Sequence, residues 1–171
     1  MSRIITTFLY VSLIGPGTWG SLVAMALGAV ILRYAGFPAL AAATLAVTAL
    51  GFWACQVELK GRPGEDPSEI VIDEVAGQWL TLLFPAAGFY FFLTGQALLQ
   101  AGAGWMPWPA YVVPFVLFRL FDIWKPWVIG RADRRGDAAG VMLDDLWAGL
   151  FAGVATIVLA VAYHVPLILM Q

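Results

Sequence analysis

Five acidic residues lie at the edges of long apolar segments, where a helix could bring them together. They are Asp73, Glu74, Asp122, Asp144 and Asp145. A carboxylate at the middle of a membrane helix costs about 2.5–3.5 kcal/mol and less near the surface, so it usually marks a functional site or a buried pair. Carboxylates without His or Cys partners suit Mg²⁺ or Mn²⁺ and argue against zinc. The pattern predicts a site in which these five acids bind Mg²⁺.

Two cations share a predicted helix with one of these acids. Arg119, Asp122 and Lys125 recur at every third residue, which places them within about a third of the circumference of a helix. Arginine suits bidentate binding of phosphate. A carboxylate for a metal and two cations for a phosphate would therefore lie on one face.

A simpler explanation exists for each charge taken singly. Acids near a helix N-terminus are favoured by the helix dipole, and long cations near a C-terminus by the dipole and by snorkelling. The convergence of five acids from three helices favours a shared site instead.

The glycine-rich segment 15–21, GPGTWGS, offers a second phosphate contact. Thr18 is predicted to cap the following helix, with Ser21 three residues further on, and free N–H groups at such an end attract phosphate. The alternative is a simple elbow between two apolar segments. The GxGxxG match is discounted because neither the required strand nor a βαβ unit fits here.

Composition places the chain in a membrane. Hydrophobic residues make up 61% and charged residues only 12%, whereas about a quarter of a soluble domain is charged. Residues 4–32, 34–57, 75–118 and 146–171 carry no Asp, Glu, Lys or Arg, and about 20 such residues suffice to cross a bilayer as a helix.

The predicted fold is an all-α bundle of about five transmembrane helices in a single domain, residues 1–171, with a short interfacial helix at 4–14. The spans are placed at 19 to about 34, at 37–57, from about 66 through 84, from about 109 to 125, and from about 141 to 170. A cap at Asp66 and the proline after it would start the third span, so that Asp73 and Glu74 lie about two turns inside it. Pro126 should end the fourth span, and the basic segment up to Gly140 is predicted to be a solvated loop.

The distribution of charge predicts orientation. Eight of the nine basic residues, all but Arg33, fall on one side of this five-span arrangement together with all eleven acids. Positive loops stay in the cytoplasm, so the predicted site faces the cytoplasm.

Four segments carry a family resemblance, in order along nearly the whole chain: GPGTWGSL at 15–22, DEVAGQWLTL at 73–82, FRLFDIWKPWVI at 118–129 and GVMLDDLWAG at 140–149. They resemble the bacterial phosphatidylglycerophosphatase A family. The resemblance implies a Mg²⁺-dependent enzyme of the inner membrane that hydrolyses phosphatidylglycerophosphate to phosphatidylglycerol and phosphate. No nucleic acid partner is expected.

The resemblance also implies site residues. The motif positions are Thr18, Ser21, Asp73, Glu74, Arg119, Asp122, Lys125, Asp144 and Asp145. The hypothesis is that the acids hold one or two Mg²⁺, that Thr18, Ser21, Arg119 and Lys125 bind the phosphate, and that water attacks in line. A covalent aspartyl-phosphate is the competing mechanism.

Three other classes of protein fit the sequence less well. A histidine-dependent phosphatase does not fit, because the only histidine, His164, is predicted at the opposite side of the membrane. A phosphatidyltransferase would use acids in a similar way, but its D-x-x-D-G and G-x-x-x-D-x-x-x-D pattern is missing. A cation transporter would place acids through the depth of the membrane, whereas 75–118 has none.

Overall fold

The computed structural model describes residues 18–60, 71–91 and 105–170, and within these ranges the chain is helical with no strand. The interfacial helix predicted at 4–14 lies outside the described residues. Five helices follow one another: α1 Thr18–Glu58, α2 Ile72–Phe91, α3 Pro109–Trp124, α4 Trp127–Asp133 and α5 Ala138–Leu169. The all-α prediction is confirmed for the described part of the chain.

Helix α1 is bent into two arms at a glycine. Gly36 has a φ of 82° and a ψ of 178°, which interrupts the helix, and Pro38 follows it. A positive φ of this size is readily adopted only by glycine. The first arm, residues 18–35, and the second arm, residues 37–58, correspond to the first two predicted spans.

The two arms run in opposite directions along α2. In the first arm, Gly20 lies against Val71 and Gly28 lies against Leu82; in the second arm, Gly51 lies against Ile72. Ala24 of the first arm and Leu40 of the second belong to one buried cluster with Trp79 of α2. The small residues at 20, 24 and 28 therefore let α2 approach closely, as the sequence pattern predicts.

Helices α2 and α5 cross where both carry glycine. A Cβ added to Gly77 would lie 2.5 Å from the carbonyl oxygen of Asp145 and 2.7 Å from the ring of Phe118, and a Cβ on Gly149 would collide with the backbone of Gly77. Thr81 Oγ lies 2.9 Å from the Gly77 carbonyl oxygen and 3.2 Å from that of Gly149. This crossing holds the acids of α2 and α5 at one end of the bundle, with α3 beside them.

Helix α3 ends as predicted, but the segment after it is not a loop. Lys125 adopts left-handed backbone, with φ 47° and ψ 52°, and Pro126 then begins a turn into α4. The solvated loop predicted for 126–140 is therefore wrong over Trp127–Asp133, which is helical. The missing Pro126 N–H lies at the start of this short helix, where it costs no hydrogen bond.

The predicted start of the third span is also corrected. Helix α2 begins at Ile72, and Asp73 and Glu74 lie in its first turn rather than two turns inside it. Val71 is not helical. A run of three β-branched residues at 70–72 disfavours helix, whereas acids are favoured in a first turn. Residues 66–70 lie outside the described part.

Two of the described helices are long and apolar enough to cross a membrane, namely Thr18–Glu58 and Ala138–Pro166. Large apolar side chains are exposed along the bundle, among them Leu45, Trp53 and Ile123. With a mean hydropathy of +0.85, these are the features of a membrane protein. The count of five transmembrane helices and the single domain stay predictions.

Candidate active site

One cluster of polar side chains joins the first arm of α1, α2 and α3. Ser21 Oγ donates a hydrogen bond of 2.9 Å to Glu74 Oε2 and accepts one of 3.3 Å from Arg119 Nη1. The same Arg119 nitrogen lies 3.7 Å from Glu74 Oε1 and also binds Asp122 Oδ2. Glu74, Arg119 and Asp122 are each only about one-seventh exposed, at 14%, 15% and 14%, so this ion pairing is shielded from bulk water.

A second cluster joins the end of α3 to α4 and α5. Lys125 Nζ donates to Asp144 Oδ2 at 2.8 Å and also to Asp133 Oδ1. Hydrogen bonds to two carboxylates favour the charged form of Lys125, so it serves as a cation at this site.

Asp145 lies between the two clusters. It is only 4% exposed, and it lies within electrostatic range of four other carboxylates: Asp73, Asp122, Asp144 and Glu74. Within the described ranges no cation pairs with Asp145. A buried carboxylate without a partner is costly, so the position favours a bound cation.

The balance of charge supports the same conclusion. Fully ionised, the five predicted acids would carry five negative charges against the two positive charges of Arg119 and Lys125. A hard divalent cation fits this set by charge and by its oxygen ligands. In the described parts of the chain, however, no group of three or more His, Cys, Asp or Glu side chains is arranged so that it could hold a metal ion. Arg119 and Lys125 bind three of the five carboxylates instead.

Most of the predicted residues come together at this end of the bundle. Asp73 lies close enough to Asp145 for their negative charges to repel each other. The two clusters, together with Asp145, contain Ser21, Glu74, Arg119, Asp122, Lys125, Asp144 and Asp145. Thr18 begins α1 and is exposed, and no hydrogen bond joins it to the clusters within the described residues. The predicted helix cap at Thr18 belongs to the segment 15–21, and residues 15–17 of that segment lie outside the described residues. His164 is exposed on α5, more than four turns from Asp145.

One member of the site was missed by sequence reasoning. Asp133 was predicted to be a solvated loop residue, but it is the last residue of α4 and pairs with Lys125. Asp133 comes eight residues after Lys125, with Pro126 between them, so no helical periodicity in the sequence connects the two residues. Only the left-handed turn at Lys125 brings the two side chains together.

The matches to known proteins cover the part of the chain that holds these residues. The family model described as phosphatidylglycerophosphatase A matches residues 4–160. The chain is 30% identical to the phosphatidylglycerophosphatase A of Haemophilus influenzae, over 86% of this chain and 79% of the relative. It is 28% identical to the Escherichia coli protein of that name, over 89% and 77%.

A third relative carries a different name. The chain is 34% identical to a putative phosphatidylinositol-3-phosphatase of Bacteroides thetaiotaomicron, over 80% of this chain and 78% of the relative. No solved structure matches the chain. All three relatives are named as phosphatases of a phospholipid headgroup, and the family model spans both charged clusters. The chain therefore belongs to the phosphatidylglycerophosphatase A family and is a phosphatase.

Proposed function

We propose that the protein hydrolyses the terminal phosphate monoester of phosphatidylglycerophosphate, giving phosphatidylglycerol and inorganic phosphate for phospholipid synthesis. The proposed place is the cytoplasmic face of the bacterial inner membrane. The observation that carries the proposal is that acids of three helices lie at one end of the bundle, four of them within electrostatic range of Asp145, beside Arg119 and Lys125. The names of the relatives supply the substrate.

Arg119 and Lys125 are proposed to bind the phosphate dianion. Both already contact oxygen anions, Arg119 those of Glu74 and Asp122, and Lys125 that of Asp144. A phosphate dianion accepts two parallel hydrogen bonds from a guanidinium, as a carboxylate does, and it carries a larger negative charge, so it would compete with these acids for Arg119. Ser21 holds Glu74 and Arg119 in place and does not need to touch the substrate.

The acids are proposed to hold Mg²⁺, with Asp73, Glu74, Asp122, Asp144 and Asp145 as ligands. When bound, Mg²⁺ would polarise a phosphoryl oxygen and offset the charge that develops in the transition state. The chain's own contribution is to orient the monoester with two cations and to keep Asp145 buried beside it.

Water is the proposed nucleophile. Its oxygen attacks phosphorus as the bond from phosphorus to the glycerol oxygen breaks, and the leaving oxygen takes a proton. Acid-quenched enzyme should carry no phosphate during turnover, whereas ¹⁸O-water would label the released phosphate in either mechanism. A phosphorylated aspartate in the quenched enzyme would establish the covalent mechanism instead.

The decisive experiment measures phosphate release from phosphatidylglycerophosphate by the purified protein with Mg²⁺ and with a chelator. Chelation should abolish release. Asp145→Asn should lower kcat by about 100-fold or more, because a buried ligand loses its charge. Asp137→Asn, an exposed acid outside the site, is the matched control and should retain activity. Full activity of Asp145→Asn, or of chelated enzyme, would contradict the metal site.

The Bacteroides thetaiotaomicron relative motivates a second candidate substrate, phosphatidylinositol 3-phosphate. Both lipids carry a phosphate monoester on a headgroup that also bears hydroxyl groups. The two should be compared at equal surface concentration in mixed micelles. A higher kcat/KM for phosphatidylinositol 3-phosphate would reverse the assignment of substrate while leaving the phosphatase chemistry unchanged.

A further inference from the structure

Gln78 of α2 is buried and has unused hydrogen-bonding groups. Its exposure is 0%, and among the described residues neither its amide nitrogen nor its amide oxygen has a hydrogen-bond partner. Buried polar groups in folded proteins nearly always have partners, and one without them needs an explanation. A polar group that enters from outside the described part of the chain would satisfy this amide.

The position of Gln78 connects it to the active site. It lies four residues, or one turn, after Glu74 on the same face of α2, and it follows Gly77, which contacts Asp145 and Phe118. Arg119, which binds Glu74, also has a buried Nε without a partner. Relative to the charged clusters, these hydrogen-bonding groups without partners therefore lie toward the middle of the bundle.

The chemistry of the amide limits what can bind there. A carboxamide offers two N–H donors and one acceptor oxygen. A phosphate dianion only accepts hydrogen bonds, so it would leave the amide oxygen unused, and a metal ion would leave the N–H groups unused. A hydroxyl group both donates and accepts, and it satisfies both ends of the amide.

The depth of Gln78 suits one particular hydroxyl. Four residues of helix advance about 6 Å, so Gln78 lies about that far from Glu74 toward the middle of α2. In the proposed substrate, the free hydroxyl of the headgroup glycerol lies between the terminal phosphate and the lipid anchor. With the phosphate at Arg119 and Lys125, this hydroxyl would extend toward the middle of the bundle.

We propose that Gln78 binds the hydroxyl of the headgroup glycerol and thereby selects lipids whose phosphorylated headgroup carries a neighbouring hydroxyl. The inference rests on the proposed function, because it concerns the same substrate in the same site. Gln78 is a specificity-determining residue in this proposal, and the phosphate chemistry does not depend on it.

The test compares two substrates in micelles with Mg²⁺: phosphatidylglycerophosphate and a synthetic analogue in which 1,3-propanediol phosphate replaces the glycerol phosphate, so that the hydroxyl is absent. The wild-type protein should prefer the natural lipid by about fivefold to tenfold in kcat/KM, the size of one neutral hydrogen bond. Gln78→Met, similar in length and shape, should bring this ratio close to one. Gln78→Ala should give the same ratio and serves if the Met variant does not fold.

Thr81→Val is the matched control. Thr81 is equally buried on α2, but its hydroxyl is already bonded to the Gly77 and Gly149 carbonyls. This variant should lower stability and leave the ratio at its wild-type value. A wild-type ratio of one, or an unchanged ratio in the Gln78 variants, would overturn the inference while the proposed function stands. Hydrolysis of neither lipid by the wild-type protein would overturn both.

Discussion

Arg119 makes one contact that could be predicted from the sequence and another that could not. Its type and its spacing from Asp122 predicted a shared helical face, and the ion pair between them confirms it. Its contact with Ser21, 98 residues away in the chain, depends on the hairpin of α1 and could not be read from periodicity. Ser21 contacts Glu74 and Arg119, and its predicted binding of phosphate stays a prediction.

Replacing Arg119 by lysine separates charge from geometry. Arg119 Nη1 contacts Ser21, Glu74 and Asp122, and one ammonium group cannot reproduce a planar fork that also binds phosphate at two points. Arg119→Lys should therefore lower kcat/KM by about 100-fold, the usual effect of losing one preorganised donor. Phosphate release at several lipid concentrations measures it.

Arg135→Lys is the corresponding control. Arg135 forms an exposed ion pair with Asp137, and such pairs contribute little. This variant should keep wild-type kinetics. If both arginine variants behaved alike, Arg119 would have no special place in the site.

The glycine crossing of α2 and α5 determines whether the acids meet at all. Gly149 and Gly153 are four residues apart, a spacing typical of closely packed helices, and both lie against α2. The partner of Gly149 could not be predicted, because spacing along one helix does not identify the facing helix. The start of α2 was mispredicted because the run of β-branched residues at 70–72 disfavours helix, and α4 was missed because the left-handed turn at Lys125 lets a new helix begin after Pro126.

Substituting Gly77 tests the crossing. The added methyl group would lie 2.5 Å from a backbone oxygen of α5, which cannot rotate away. Gly77→Ala should destabilise the fold by about 1–3 kcal/mol, as overpacking does, and should lower activity by moving Asp145 away from Glu74. Thermal unfolding in detergent, with activity measured below the transition, tests both effects.

Gly88→Ala provides the comparison on the same helix. A Cβ there meets nothing within 4 Å, and alanine favours helix over glycine. This variant should be at least as stable as wild type and fully active. If Gly88→Ala lost as much stability and activity as Gly77→Ala, the effect of alanine in α2 would not come from the contact with α5.

The first turn of α5 depends on a charged cap. Asp137 Oδ1 accepts a hydrogen bond of 2.7 Å from the Gly140 N–H. The hydrogen bonds from Arg135 and from this N–H hold the pKa of Asp137 below its usual range. Because the folded state lowers this pKa, the stabilisation is complete above the ordinary aspartate pKa, about 3.9, and is lost as the pH falls through the lower value of the folded state.

Asp137→Asn should remove this pH dependence while keeping the cap, since asparagine caps helices about as well as aspartate. Asp137→Ala should lose the cap and unfold at a lower temperature at neutral pH. Unfolding temperatures of the three proteins between pH 3 and pH 7 measure the difference. An Asn variant with the same acid sensitivity as the wild type would assign that sensitivity to other carboxylates.

At the scale of the whole molecule, segregation of charge predicted the end of the bundle at which the site lies. The two arms of α1 bring Ser21 and Glu58 to the end where α2 begins, and the same end holds Lys125 and Asp145. The kink at Gly36 lies at the other end, next to the only basic residue, Arg33, that was predicted there.

Orientation can be measured with single cysteines on a Cys55→Ala background, because Cys55 is the one native cysteine and is buried. Lys60→Cys lies at the end that carries the site, and Trp108→Cys lies at the opposite end of α3; both positions are exposed. Because basic loops are retained in the cytoplasm, an impermeant thiol reagent should label position 108 in intact bacterial cells and position 60 only in inverted vesicles. Labelling of both positions from the same side would contradict a site on the cytoplasmic face of a bundle that spans the membrane, since α3 would then lie along the surface.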